Sequence, residues 1–123
     1  MKFFICRHCG NLVGLIENRG VPMVCCGEKM AELVPNTAEA SVEKHLPAVR
    51  VSGNTVAVQI GSAPHPMLEE HHIAFVYVET ARGGQRKNLK PGEAPKLTFL
   101  FADDAPVAVY AYCNLHGLWK TEV

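Results

Sequence analysis

Four of the chain's five cysteines, Cys6, Cys9, Cys25 and Cys26, fall within the first 26 of its 123 residues. That crowding limits what the opening segment can become. Residues 1–35 carry a few scattered apolar side chains (Phe3, Phe4, Ile5, Leu12, Val13) interrupted by Gly10, Gly14, Gly20 and Gly27. Segments below roughly 40 residues need a metal, disulfides or a partner subunit to offset chain entropy. The fifth cysteine stands far away, in Tyr112-Cys113-Asn114-Leu115-His116-Gly117. An odd count argues against a disulfide framework, whereas one all-sulfur metal site and one site mixing sulfur with imidazole would use all five.

Length allows one ordinary domain, or a modest domain with a small appendage. Twelve basic and twelve acidic residues cancel, so nothing in the net charge invites a polyanion such as nucleic acid. No apolar run is long enough to span a membrane. Residues 1–9 contain a single Lys and no long apolar run ending in small residues, so the expectation is no signal peptide and a reducing cytoplasm.

Within the opening segment, residues 13–16 and 21–24 read as a hairpin that would bring the CxxC and CC pairs together. Residues 36–42 (NTAEASV) are small and polar and read as a linker, dividing the chain into 1–36 and 37–123. Beyond it the pattern is β. Residues 47–52 and 55–60 flank the turn pair Gly53-Asn54, and 72–80 is a third strand. Residues 82–85 supply a Gly-Gly turn, and 96–102 and 107–113 follow. Strands at this spacing without helical periodicity suggest an antiparallel sandwich.

Cys6-x-x-Cys9 followed by Gly10, and Cys25-Cys26 followed by Gly27, fit a tetrahedral thiolate site. A glycine after a ligating cysteine allows positive φ, so that amide N–H groups can turn toward the sulfurs. Adjacent cysteines should distort the tetrahedron. Zinc and iron both accept four thiolates, and a purely structural zinc knuckle is the plain alternative. His8 reads as a solvated side chain rather than a fifth ligand. Among the other histidines, His45 and His65 sit beside prolines that fix their backbone. His71 and His72 would face opposite sides of a strand, which leaves one of them for a shared site. His71 is the better placed, since His72 begins an apolar alternation continued by Ala74, Val76 and Val78. A thiolate with four imidazoles is a poor zinc set but suits five-coordinate iron.

Taken together, Cys6-x-x-Cys9, Cys25-Cys26, Glu43-Lys44-His45, His65-Pro66-Met67 with His71 six residues on, and Cys113-Asn114-Leu115-His116-Gly117 resemble the desulfoferrodoxins, the two-iron superoxide reductases. The resemblance implies a small desulforedoxin-like, rubredoxin-type domain with iron on Cys6, Cys9, Cys25 and Cys26. An immunoglobulin-like antiparallel β-sandwich would follow, carrying a second iron on His45, His65, His71, His116 and Cys113. It also implies one-electron reduction of superoxide to hydrogen peroxide without oxygen evolution, a rubredoxin-like electron donor and a homodimer. Lys44 would steer the anion, and Glu43 is the candidate carboxylate for the open position of the ferric state. One position departs from the pattern: His72 stands where a bulky aromatic is expected. The competing readings are a non-catalytic zinc- or iron-binding module and a superoxide dismutase.

Overall fold

The computed structural model describes residues 1–123, which divide into two compact units, Met1–Val34 and Pro35–Val123. In the first, β1 (Lys2–Ile5) pairs antiparallel with β2 (Leu12–Leu15). A two-residue ribbon of β3 (Val24–Cys25) and β4 (Glu28–Lys29) follows, and β5 (Ala31–Glu32) returns to the free edge of β1. Phe3, Leu33 and Cys6 are its buried residues. The hairpin expected between 13–16 and 21–24 does not form. Turns centred on the cysteines decide the pairing instead: 6–10 closes β1 on β2, and Cys25-Cys26-Gly27 closes β3 on β4. Gly10 (φ 83°) and Gly27 (φ 76°) supply the left-handed residues those tight turns need, and Cys26 itself adopts φ 53°.

The second unit is a sandwich of seven strands. A single helical turn, α1 (Val42–His45), leads into β6 (Pro47–Ser52) and β7 (Thr55–Ile60). After these come β8 (Ile73–Thr80), β9 (Gly83–Asn88), β10 (Lys96–Leu100), β11 (Pro106–Cys113) and β12 (Gly117–Glu122). The sheets run β10-β7-β6 and β12-β11-β8-β9, every neighbouring pair antiparallel. Strict alternation along β7 sends Val56, Val58 and Ile60 inward, where they meet Phe99 from β10 and Val76, Val78, Val109 and Ala111 from the facing sheet. Burying each of the Val, Ile and Phe side chains among these contributes roughly 1.5–3 kcal/mol.

Two expectations about this unit need correction. His72 does not begin the inward alternation. Ile73 pairs with Cys113 while Phe75 pairs with Tyr112, so Ala74 is an extra residue in a bulge, and Ile73, Val76 and Val78 share the core face. Nor is 82–85 simply a turn, because β9 begins at Gly83. Gly84 lies where any Cβ would run into the Tyr77 hydroxyl, so here glycine serves close packing within the strand.

Side chains also tie the sheet edges. Gln85 Nε2 and Lys87 Nζ donate to the carbonyls of Leu100 and Thr98 at 2.7 and 2.6 Å, joining β9 to β10. Asn36 pairs its amide with the backbone of Lys120, in place of a further strand beside β12. No helix is long and apolar enough to cross a membrane.

Candidate metal centres

The four thiols at the start of the chain are free, and their sulfurs all lie within 4.8 Å of one another. Cys9 Sγ and Cys25 Sγ are 3.6 Å apart, far beyond a disulfide and close to the edge of about 3.8 Å that a tetrahedron with 2.3 Å metal–sulfur bonds requires. Backbone N–H groups of Cys9 and Asn11 point at Cys6 Sγ (3.5 Å) and Cys9 Sγ (3.4 Å), and Asn11 Nδ2 points at Cys25 Sγ (3.7 Å). The thiols cannot share one ionisation. Hydrogen bonding, first from the Cys9 backbone, draws Cys6 down to about 6, whereas sulfur neighbours, Cys6 foremost, push Cys26 up to about 12. A set that resists collective ionisation in this way calls for a cation. His8 stands outside, its Nε2 3.1 Å from Glu28 Oε1.

The second group gathers at one end of the sandwich from separate segments. His45 closes α1, His65 follows β7, His71 precedes β8, and Cys113 ends β11. One donor atom from each of these four lies within 4.8 Å of the others. His116, in the β11–β12 turn, brings Nδ1 to 3.9 Å from Cys113 Sγ, and its ring centroid lies 5.0 and 5.1 Å from those of His45 and His71. Asn114 braces this turn against the His71 segment, donating Nδ2 to the Glu70 carbonyl (3.0 Å) and accepting the His72 N–H (2.8 Å).

The carbonyl partners settle the histidine tautomers. His45 Nδ1 is 2.7 Å from the Ser41 carbonyl, and His65 Nδ1 is 2.6 Å from that of Pro66. A carbonyl only accepts, so both Nδ1 atoms carry protons and both Nε2 atoms present lone pairs. Those Nε2 atoms face each other at 3.1 Å. Burial, the largest influence, lowers His45 and takes His65 down to about 4, so a shared proton is disfavoured at neutral pH. His71 Nε2 is buried with no hydrogen-bond partner. Burial pushes the Cys113 thiol up, while the N–H groups of His116 and Leu115 pull the other way. Converging lone pairs, an orphaned imidazole nitrogen and a fully buried thiol are what a metal cation would satisfy. Neutral imidazoles with one thiolate fit iron well.

Glu43 and Lys44 are exposed on α1, and the Lys44 charge is among the influences lowering His45 and His71. Several supporting residues surround the imidazoles, and of these the sequence marked Pro66 alone. Ser41 and Pro66 orient two rings, and Gly61 packs against the α1 backbone so closely that a Cβ would fall 2.8 Å from the Lys44 carbonyl carbon. Trp119 stacks on His45 at 4.9 Å. Pro66 beside His65 was the one visible signal; Gly61 and Trp119 depend on contacts between distant segments, and Ser41, four residues before His45, acts through its backbone carbonyl. His72, half-buried, turns Nδ1 to the Leu68 carbonyl at 3.0 Å and stays out of the cluster.

The Desulfoferrodoxin family profile matches residues 37–122. A desulfoferrodoxin of Nitratidesulfovibrio vulgaris is 40% identical over 121 residues, covering 98% of this chain and 95% of that one. The crystal structure of the superoxide reductase from Treponema pallidum superposes with a TM-score of 0.82 at 38% identity, covering 98% of each chain. The one-iron superoxide reductase of Giardia intestinalis (TM-score 0.56, 31% identity) is covered over 97% of its length but accounts for only 66% of this chain. The four-cysteine group and the group of three imidazoles and a thiolate match the two iron centres of desulfoferrodoxins. On the profile match and the full-length likeness together, the chain belongs to the desulfoferrodoxin family.

Proposed function

We propose that the chain is a superoxide reductase, an oxidoreductase that takes superoxide, one electron and two protons to hydrogen peroxide without releasing oxygen. The observation that carries this reading is the buried convergence of His45, His65 and His71 on Cys113, with His116 alongside. The name borne by the full-length structural neighbour agrees with it. In this reading His45, His65, His71, His116 and Cys113 hold the working iron of a catalytic domain spanning 37–123. Cys6, Cys9, Cys25 and Cys26 hold a second iron in a domain spanning 1–36. When bound, ferrous iron supplies the electron and a coordination position open to exchange.

The protein's part is geometry and charge. Carbonyl-anchored Nδ1–H groups on His45 and His65 fix their tautomers and ring directions, so no reorganisation of either is needed during turnover. N–H groups of Leu115 and His116 directed at Cys113 stabilise its thiolate. Lys44, exposed one residue from His45, adds a local positive field that draws a small anion toward a chain with no net charge. Lys44 would also orient water for protonation, and Glu43 on the same turn would offer a carboxylate to iron bound in its ferric form. Net reduction needs an external electron at every cycle, for which a rubredoxin-like protein is the proposed donor, and the working assembly is a homodimer.

The deciding experiment measures peroxide formed per superoxide consumed by reduced, iron-loaded protein, with oxygen followed in parallel. Equimolar peroxide without oxygen is the expected result. Half as much peroxide with oxygen evolved would make the protein a dismutase, and no acceleration would leave a metal-binding module.

A further inference from the structure

Trp119 is the chain's single tryptophan and is 2% exposed on β12, opposite Ala111 of β11. Its indole lies nearly parallel to the His45 ring, with centroids 4.9 Å apart and planes at 28°. Its Nε1–H donates to the His116 carbonyl at 3.2 Å. One side chain therefore touches two of the proposed ligands from outside the donor cluster: it covers the face of one and restrains the backbone of the other.

We propose that Trp119 is a positioning residue of the mixed iron centre, setting the ring plane of His45 and the turn that presents His116. This rests on the functional reading above. The Ser41 carbonyl anchors the His45 ring at one atom, and a ring held at one atom can still swing about that bond. The indole removes that freedom on one face, while His65 (4.6 Å, 78°) and His116 (5.0 Å, 90°) meet His45 edge-on. A buried indole N–H finds some partner in most proteins. Here the partner is the carbonyl of a residue whose ring faces the Cys113 sulfur at 3.9 Å, so the bond fixes the tight turn that carries the ligand. Small errors in ligand placement are costly to reaction rates, since about 1 Å of misplacement can cost a hundredfold.

The test compares iron-loaded full-length W119F, which keeps a flat ring but loses the donor, with W119L, which loses both. F99L serves as control because Phe99 is fully buried in the core and forms no part of the donor cluster. Three quantities are read: the position of the ferric thiolate charge-transfer absorption, the second-order rate constant with superoxide, and the melting temperature. W119L should shift the absorption and slow the reaction by about tenfold, W119F should fall between it and wild type, and F99L should lower the melting temperature without moving the other two. Trp119 would be reduced to a space-filler if W119L matched F99L in absorption and rate. Should W119L not fold, W119F carries the comparison, and an absorption and rate equal to wild type would overturn the role of the N–H. If wild-type protein lacks the thiolate absorption, the five-ligand reading fails and the positioning role is read from the His45 ring protons of the zinc-loaded chain. Indole ring current should shift these upfield in wild type, and identical shifts in W119L would refute the stack.

Discussion

Gly61 offers a sharp test of how the site is held. A Cβ there would lie 2.8 Å from the Lys44 carbonyl carbon, and closer still to the Glu43 carbonyl oxygen, where ordinary contact begins at 3.4 Å. In G61A the backbone of α1 must therefore retreat by at least about 0.6 Å, the difference between those two distances. The neighbouring loop cannot simply give way, because Ala63 N–H and Ser62 Oγ both donate to the same Glu43 carbonyl, at 3.1 and 3.3 Å. Displacement passes along one helical turn to His45, whose Nε2 faces His65 Nε2 at 3.1 Å. Overpacking of this kind costs roughly 1–3 kcal/mol of stability, and a ligand shift of this size should slow the chemistry by roughly ten- to a hundredfold. The assay is the rate of superoxide consumption at matched iron content, with the ferric spectrum and the urea midpoint taken on the same samples. A rate within twofold of wild type and an unchanged spectrum would refute the claim that Gly61 places α1.

K44A should lower the second-order rate constant and flatten its dependence on ionic strength; a salt slope equal to wild type would remove Lys44 from steering. In metal-free protein, His65 is held near pH 4 by burial against an unfolded value of 6.5. Between those pH values the unfolded chain binds a proton that the folded chain refuses. The His65 contribution is therefore present in full above pH 6.5 and is lost by the time the pH has fallen through about 4. It amounts to about 3 kcal/mol. Urea midpoints measured from pH 7.5 to 4 should fall accordingly and should fall less in H65Q; a flat profile would contradict the burial argument. Stripping metal from the four thiols should unfold residues 1–34 while the sandwich persists. Well-dispersed amide signals from those residues in metal-free protein would show that the small unit folds on its own packing.

The donor residues were readable because each carries its own chemistry and sits at a characteristic spacing. The pairing around them was less so. β9 (GGQRKN) is exposed along most of its length, and β12 (GLWKTE) becomes a strand only by pairing with β11, so neither shows an apolar alternation of its own. α1 is one turn long and has no periodicity to detect; its place follows from Gly61, the Ser62 hydroxyl and the Ala63 N–H. The bulge at Ala74 reversed the expected facing of the β8 start, so that Ile73 rather than His72 enters the core. In the first unit the cysteine turns outweighed the weak strand propensity of 21–24. Trp119 reaches His45 across most of the sandwich sequence, and Ser41, though four residues before His45, acts through a backbone carbonyl that no side-chain pattern marks.

The two donor sets differ in how far along the chain they reach. Cys6 to Cys26 is a short excursion, closed by local turns, so that set can assemble while the rest of the polypeptide is still being synthesised. His45 and Cys113 meet only after β6, β7, β8 and β11 have found one another, and non-local pairing of this kind is the slow part of folding. Biogenesis of the protein therefore has an order. Thiols at the start of the chain are available to any thiophilic ion early, whereas the imidazole-rich set selects its metal late, from a finished β scaffold. Mismetallation should accordingly concentrate in the four-cysteine group and track the ions present during translation.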